Sequence, residues 1–197
     1  AWVLHNKNNK YLHHVKYRMK SGNTWGPIIN LGDLQFHRQD EVFDLRLGVD
    51  NSGNVHVVLQ EEHEVVVRYF AKYGDTILAM ENIGNPGSRL KHPDIAVNDT
   101  HVHMIWMRKM SSYVLMHQKR ENRVGGTKGP IRQITFPKSG SGSQKSRIDL
   151  DSDGLLHLAE FNKTGIIKKL KYYQELPSGQ FTSYVNLSSP NRLMLYH

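Results

Sequence analysis

The chain contains no cysteine. That excludes disulfides and thiolate metal sites and leaves the cellular compartment open. No apolar run approaches the roughly 20 residues of a membrane-spanning helix. No stretch sustains the i, i+3, i+4, i+7 pattern of an amphipathic helix. The opening Ala1-Trp2-Val3 reads as strand rather than as a leader, and the missing initiator Met points to a processed protein or an excised piece. Acids are scarce relative to bases: 26 Lys and Arg stand against 18 Asp and Glu, for a net charge of +8. Such a balance favours polyanionic partners (acidic polysaccharide, nucleic acid, anionic membrane) or serves solubility alone. The cations are dispersed, with Arg108-Lys109 and Lys168-Lys169-x-Lys171 the densest groups. No RNA- or DNA-binding module signature is present, so nucleic acid ranks low as a partner.

What the chain does have is repetition. Val102-His103-Met104-Ile105-Trp106 follows Pro93-Asp94-Ile95-Ala96-Val97 across the turn Asn98-Asp99-Thr100, a hairpin signal. Leu45–Leu59 and Arg147–Ala159 read the same way, with Asn51-Ser52-Gly53 and Ser152-Asp153-Gly154 as their turns. His56 and His103 are 47 residues apart; His103 and His157 are 54 apart, the excess matching a Gly/Ser-rich loop at Pro137–Gln144. A third and a fourth strand follow each hairpin, the fourth expected at Ile77–Met80, Ile131–Phe136 and Phe181–Leu187. The N-terminal segment fits the same frame without its first strand: Trp2–His5, Tyr11–Tyr17 and Thr24–Leu31. Gly26-Pro27-Ile28 recurs as Gly129-Pro130-Ile131.

Four antiparallel strands per repeat predict an all-β chain, a β-propeller of about four blades, either a closed ring or part of a larger one. The expected organisation is one domain over 1–197, with repeats near 1–37, 38–88, 89–137 and 145–190 and a closing strand at 191–197. The motifs Pro93–Val97…Val102–Trp106 and Ser21-Gly22-Asn23-Thr24-Trp25-Gly26-Pro27-Ile28-Ile29 resemble the sialidase-like (BNR or Asp-box-related) propeller family. The turns depart from an Asp-box, which ends in tryptophan. Arg46 and Arg147 sit at equivalent positions, but no set of three arginines, a Tyr-Glu pair and an Asp acid can be assigned. The resemblance thus implies a fold and not sialidase activity.

His56, His103 and His157 recur at one position of the repeat. Either they converge on the axis, or each packs between blades and bonds to neighbouring backbone. His101 and His103 share a strand face, yet no third ligand is identifiable, so no metal and no cofactor is expected. Asp44, Glu61, Glu62, Asp94, Asp149 and Glu160 are acids near strand ends. Glu160 stands out because an apolar strand should still be running there. A polyanion lyase would use a His or Tyr base beside a cation, types offered by His103, Tyr69, Tyr172 and Arg68. Among the aromatic rings, Trp106 and Tyr69 read as core and Tyr113 as exposed. The expected ligand contacts are His103, Tyr113, Arg68, Glu160 and Trp25. The reading that results is a lectin-like, carbohydrate-binding propeller, acidic polysaccharide included among its ligands, acting outside the cell or at its surface. A glycoside hydrolase or polysaccharide lyase of sialidase-like fold is the alternative, and a protein-interaction scaffold the second; enzymatic activity is left open.

Overall fold

The computed structural model describes residues 1–6, 9–35, 42–61, 66–84, 89–135, 141–164 and 167–187. Glu62, the segment 136–140 and the expected closing strand 191–197 lie outside them. The first sheet joins β1 (Trp2–Asn6), β2 (Asn9–Tyr17) and, beyond a small hairpin of β3 (Lys20–Ser21) and β4 (Thr24–Trp25), β5 (Ile29–Gln35). The second comprises β6 (Val42–Val49), β7 (Val55–Glu61), β8 (Val67–Tyr73), β9 (Thr76–Ile77) and β10 (Glu81–Ile83). The third runs β11 (Leu90–Val97), β12 (His101–Lys109), β13 (Tyr113–Glu121) and β14 (Arg132–Gln133). The fourth runs β15 (Ser141–Leu150), β16 (Leu156–Thr164), β17 (Ile167–Gln174) and β18 (Val185–Asn186). Every pairing is antiparallel.

The sheets stack face to face in chain order. Val55, Val57, Leu59 and Phe70 of the second sheet pack on Val15, Tyr17, Leu31 and Leu34 of the first. Val58, Tyr69 and Ala71, on the opposite face, meet Val102, Met104 and Trp106 of the third. Ile105, Met107 and Leu115 then meet Leu158 and Tyr173 of the fourth. Alternate residues of one strand thus serve two different cores, which is why β7 and β12 read as near-continuous apolar runs. No apolar cluster of described residues joins the first sheet to the fourth. The outward face of the first sheet is mixed: Leu4 is exposed there beside His14, which pairs with Asp33 at 2.7 Å.

The expected second and third strands stand where the sequence places them, and so do the fourth strands of the third and fourth sheets, though shorter than expected; those of the first two sheets begin later in the chain. In the first sheet Thr24-Trp25 turns back on Lys20-Ser21 through Gly22 (φ 56°), and the edge strand begins only at Ile29. Pro27 offers no N–H to a ladder, so Gly26-Pro27-Ile28 breaks the strand. Likewise Ile77 ends a short hairpin and Glu81–Ile83 forms the edge. Arg132–Gln133 and Val185–Asn186 are short edges. Ser141–Gln144, expected in a loop, is strand: Ser141, Gly142 and Ser143 pair with Thr164, Lys163 and Asn162. Low complexity did not prevent pairing because backbone ladders need no particular side chain.

The inner strands β6, β11 and β15 lie side by side. A Cβ on Gly48 would stand 2.5 Å from Val97 Cγ2. Gly48→Ala is therefore expected to cost about 1–3 kcal/mol through overpacking. A urea midpoint equal to that of the parent would show that the two inner strands can separate freely.

Candidate functional site

The recurring histidines are internal staples. His56 Nδ1 lies 2.8 Å from the Tyr69 hydroxyl, His103 Nδ1 3.2 Å from His117 Nε2, and His157 Nδ1 2.5 Å from the Tyr172 hydroxyl. In each sheet the histidine sits on the second strand and its partner on the third, at one shared register. They do not converge on an axis, and the partner is a side chain of the same sheet rather than neighbouring backbone. Asp151 also holds His157 Nε2 at 2.8 Å, giving an Asp-His-Tyr chain. Asp50 opens the equivalent turn beside the buried His56–Tyr69 pair. The turn aspartate and the His–Tyr pair recur in the second sheet, but there Asp50 bonds Asn54 and Asn122 and His56 Nε2 has no hydrogen-bond partner among the described residues, so the full chain is made only in the fourth sheet.

The third sheet departs from the pattern: His117 occupies the place of Tyr17, Tyr69 and Tyr172. The residues paired with these four on the edge strands are Ile29, Glu81, Arg132 and Val185. Three residues beyond the aromatic, the following sheet contributes Lys72, Arg120 and Glu175 to the successive grooves. Between the second and third sheets Arg120 lies 4.8 Å over the Tyr69 ring and 3.1 Å from Glu81, which Lys128 also holds at 2.8 Å. That groove is closed by its own ion pair.

Between the third and fourth sheets the signs are reversed, with Arg132 on the edge and Glu175 on the next sheet, and the pair does not form. Arg132 Nη1 donates to the Gly179 carbonyl at 2.5 Å. Glu175 is only 3% exposed, and its Oε2 has no hydrogen-bond partner; His103 Nδ1 is 3.7 Å away. A cleft of about 360 Å³ remains open here, lined by His101, His117, Lys119, Arg132, Glu175 and Pro177 among others.

Burial, then the charge of Arg132 and Lys119, pushes the His117 imidazole down to about 3. His103 is pushed down to about 2, by burial first and His117 second. His101 is also lowered, chiefly by burial. Both inner rings are therefore neutral at pH 7. The carboxylate of Glu175 favours a proton on His103 Nδ1, which then donates to His117 Nε2 and leaves the His117 proton on Nδ1. That buried Nδ1 has no hydrogen-bond partner among the described residues, and His117 is one of the residues that line the cleft. Among the described residues Lys119 makes no ion pair, whereas Glu121 is committed to Arg123 at 2.8 Å and the Thr127 N–H at 3.1 Å. The cleft thus offers two uncompensated cations, a neutral N–H and one buried acceptor.

The expected contact residues are not brought together. His103 lies beneath this cleft, fully buried. Glu160 is buried facing the third sheet and accepts from the Tyr173 hydroxyl at 2.9 Å. Arg68 pairs with Glu61 through two contacts, at 2.6 and 3.1 Å. Trp25 is exposed on the β3–β4 hairpin with Arg18 5.5 Å over its ring. Tyr113 stands at the far end of the third sheet beside Lys109. Asp149 caps its own neighbour, accepting from the Leu150 N–H at 2.9 Å. Among the described residues no group of three His, Cys, Asp or Glu side chains could hold a metal ion.

A second polar cluster runs along the inner strands. Arg46, Asp94 and Arg147 occupy one register in successive sheets. Arg46 bridges Asp44 at 2.7 Å and Asp94 at 3.7 Å, and Asp94 accepts the Ile148 N–H at 3.0 Å. Burial raises Asp94, against the pull of Ile148 and the arginines. His92, 3.3 Å from Asp44, has the one positive φ (49°) among the described non-glycine residues. Asp94 ties three sheets together, a structural task that occupies both of its oxygens.

No family model matches this sequence, and no curated protein matches it. Solved structures do resemble it. A GH43 endo-arabinanase from Bacillus licheniformis is 12% identical, with 88% of this chain and 68% of that one covered, at a TM-score of 0.48. AofleA from Arthrobotrys oligospora is 10% identical, with 94% of this chain and 52% of that one covered, at a TM-score of 0.51. The chain therefore spans about half the length of AofleA. At such identity the likeness is one of fold alone. Stacked antiparallel sheets joined by three inter-sheet cores, together with this likeness, make the chain an all-β protein of propeller-like architecture.

Proposed function

We propose that this protein binds carbohydrate in the manner of a lectin and that the cleft between the third and fourth sheets takes an acidic sugar. The observation that carries the reading is the unmade ion pair: Arg132 and Glu175 stand where Glu81 and Arg120 close the preceding groove. A sugar carboxylate answers Arg132, Lys119 and the His117 N–H, while ring hydroxyls donate to Glu175. About 360 Å³ is within the range of small-ligand sites and accommodates one or two sugar rings. The sialidase-like family remains the proposed origin of the repeat.

A hydrolase or lyase is the second reading. It is favoured by the inner cluster, where the raised carboxyl of Asp94, the strained His92 and two arginines meet. A glycan array that includes uronic-acid and sulfated polysaccharides separates the two. Retention of a uronate-bearing glycan at both 0.1 and 0.5 M salt, where the Debye length falls from about 10 Å to about 4 Å, with no loss of ligand over hours, is the expected result. Loss of ligand would transfer the function to the inner cluster. Absence of any salt-resistant retention would overturn the carbohydrate reading.

A further inference from the structure

At the opposite end of the third sheet from the cleft, Arg89, Lys91, Arg108 and Lys109 lie on adjoining strand ends, with Lys91 and Lys109 beside Tyr113. The β12–β13 turn and the start of β11 place them there. Lys109 N donates to the Arg89 carbonyl at 2.8 Å, and Arg108 pairs in register with Leu90. Lys91 Nζ lies 5.7 Å and Lys109 Nζ 4.9 Å from the centroid of one ring, that of Tyr113. The ion pairs of the described residues include none of these four cations. Arg108 Nε is buried and has no hydrogen-bond partner. Four like charges held on adjacent strand ends repel one another, and no ion pair among the described residues neutralises them. Solubility would be served as well by scattering them, as the rest of the chain does.

We propose that this end of the sheet is a second binding site, distinct from the cleft, for a sulfated polysaccharide. Two chemical arguments select that ligand. Several cations clustered within one small area call for a polymer bearing more than one anion per sugar, which sulfate esters supply and a uronate-only chain does not. Single-stranded nucleic acid, the other common polyanion, gains much of its affinity by stacking bases on aromatic faces. Here two ammonium groups already attend the Tyr113 ring, so stacking would first have to displace them. What the site retains is charge, hydrogen-bond donors and the exposed Ser111 hydroxyl on the same turn. His101 and Lys109 mark the two ends of β12, about 25 Å apart at the usual rise per residue. A substitution in one site therefore leaves the other untouched.

The test is salt elution from immobilised heparin, with desulfated heparin and an oligothymidylate as comparison ligands. Three proteins are compared: the parent, the pair Lys91→Gln with Lys109→Gln, and Arg132→Gln in the cleft. The expected result is that the Lys pair weakens heparin binding at least tenfold at 0.15 M salt and lowers the slope of log K against log salt by about 2. Arg132→Gln should move it little, and desulfated heparin and oligothymidylate should elute early from the parent. Unchanged elution of the Lys pair would overturn the proposal. Equal weakening by Arg132→Gln would reduce the effect to net charge, and tighter binding of oligothymidylate would make the site one for nucleic acid; either result also overturns it. Should the pair fold poorly, Lys109→Gln alone, fully on the surface, reads the same outcome. The uronate reading of the cleft stands or falls separately, on Arg132.

Discussion

Exchanging the two cleft charges, Arg132→Glu together with Glu175→Arg, is expected to abolish sugar retention and leave the fold intact. The exchange gives the groove between the third and fourth sheets the charge order of the groove before it. There Arg120 meets Glu81 at 3.1 Å across a Tyr69 ring. The same register holds at the cleft, so the new arginine reaches the new glutamate and fills the space above His117. A uronate then loses its cation, meets a carboxylate instead, and finds the acceptor gone. Hydrogen bonds to charged groups are worth about 1.5–3 kcal/mol each, so losing two predicts a fall in affinity of well over 100-fold. The melting temperature should stay level or rise, because the exchange makes an ion pair where the parent leaves a buried Glu175 oxygen without a hydrogen-bond partner. Arg132→Glu alone should also lose binding but leave two carboxylates facing each other, and so should melt earlier. Retention of the sugar by the double variant would place the site elsewhere, with the inner cluster first in line.

The second large effect is acid instability. His56, His103 and His117 are each almost wholly buried and pushed down to about 4, 2 and 3. In the unfolded chain each titrates near 6.5. Unfolding therefore takes up protons below about pH 6.5: stability is complete above that value and is lost as pH falls, until His56 begins to charge in the folded protein near 4. Each ring contributes about 1.4 kcal/mol per pH unit across that window, or about 2 kcal/mol by pH 5. The three together remove about 6 kcal/mol, comparable to the whole stability of many domains. Asp33, Asp44 and Asp50, held low by hydrogen bonds and cations, add to the loss only in stronger acid, and the raised Asp94 works weakly against it. Urea midpoints measured from pH 7.5 to 5 should fall steeply. His117→Tyr, which installs the residue of the other sheets, should recover about a third of the loss. A flat profile would mean that these rings reach solvent in the folded protein.

The repeat was legible because its signals are local. Asp50 and Asp151 open two turns of one geometry: each accepts the backbone N–H four residues on, from Asn54 at 2.8 Å and Leu155 at 2.9 Å. Gly53 and Gly154 take φ of 80° and 76° to close them. The Gly-Pro-Ile recurrence is likewise structural. Gly26 N bonds Met19 O and Gly129 N bonds Lys119 O, while Arg18 and Gln118 donate to the two glycine carbonyls. Glu160 was rightly singled out as an acid in an apolar place, since Leu59 and Trp106 fill the equivalent positions of other sheets. The edge strands of the first two sheets begin later than expected because the backbone before them is used by a short hairpin, and those of the third and fourth sheets lie where expected but are only two residues long.

The sequence by itself determined the strand period, the turns, the antiparallel repeat and the apolar faces, because each depends on residues a few positions apart. The proposed cleft, by contrast, exists only because of how two sheets pack. His117, Lys119, Arg132 and Glu175 belong to two sheets and three strands or connections, and no spacing announces them. Laying the repeats over one another sets His117 in a tyrosine column and Arg132 and Glu175 against Glu81 and Arg120. Yet even that alignment does not say that one pair closes and the other stays apart. That outcome depends on which carbonyl Arg132 reaches and how deeply Glu175 is buried, and both are properties of packed sheets rather than of neighbours in the chain.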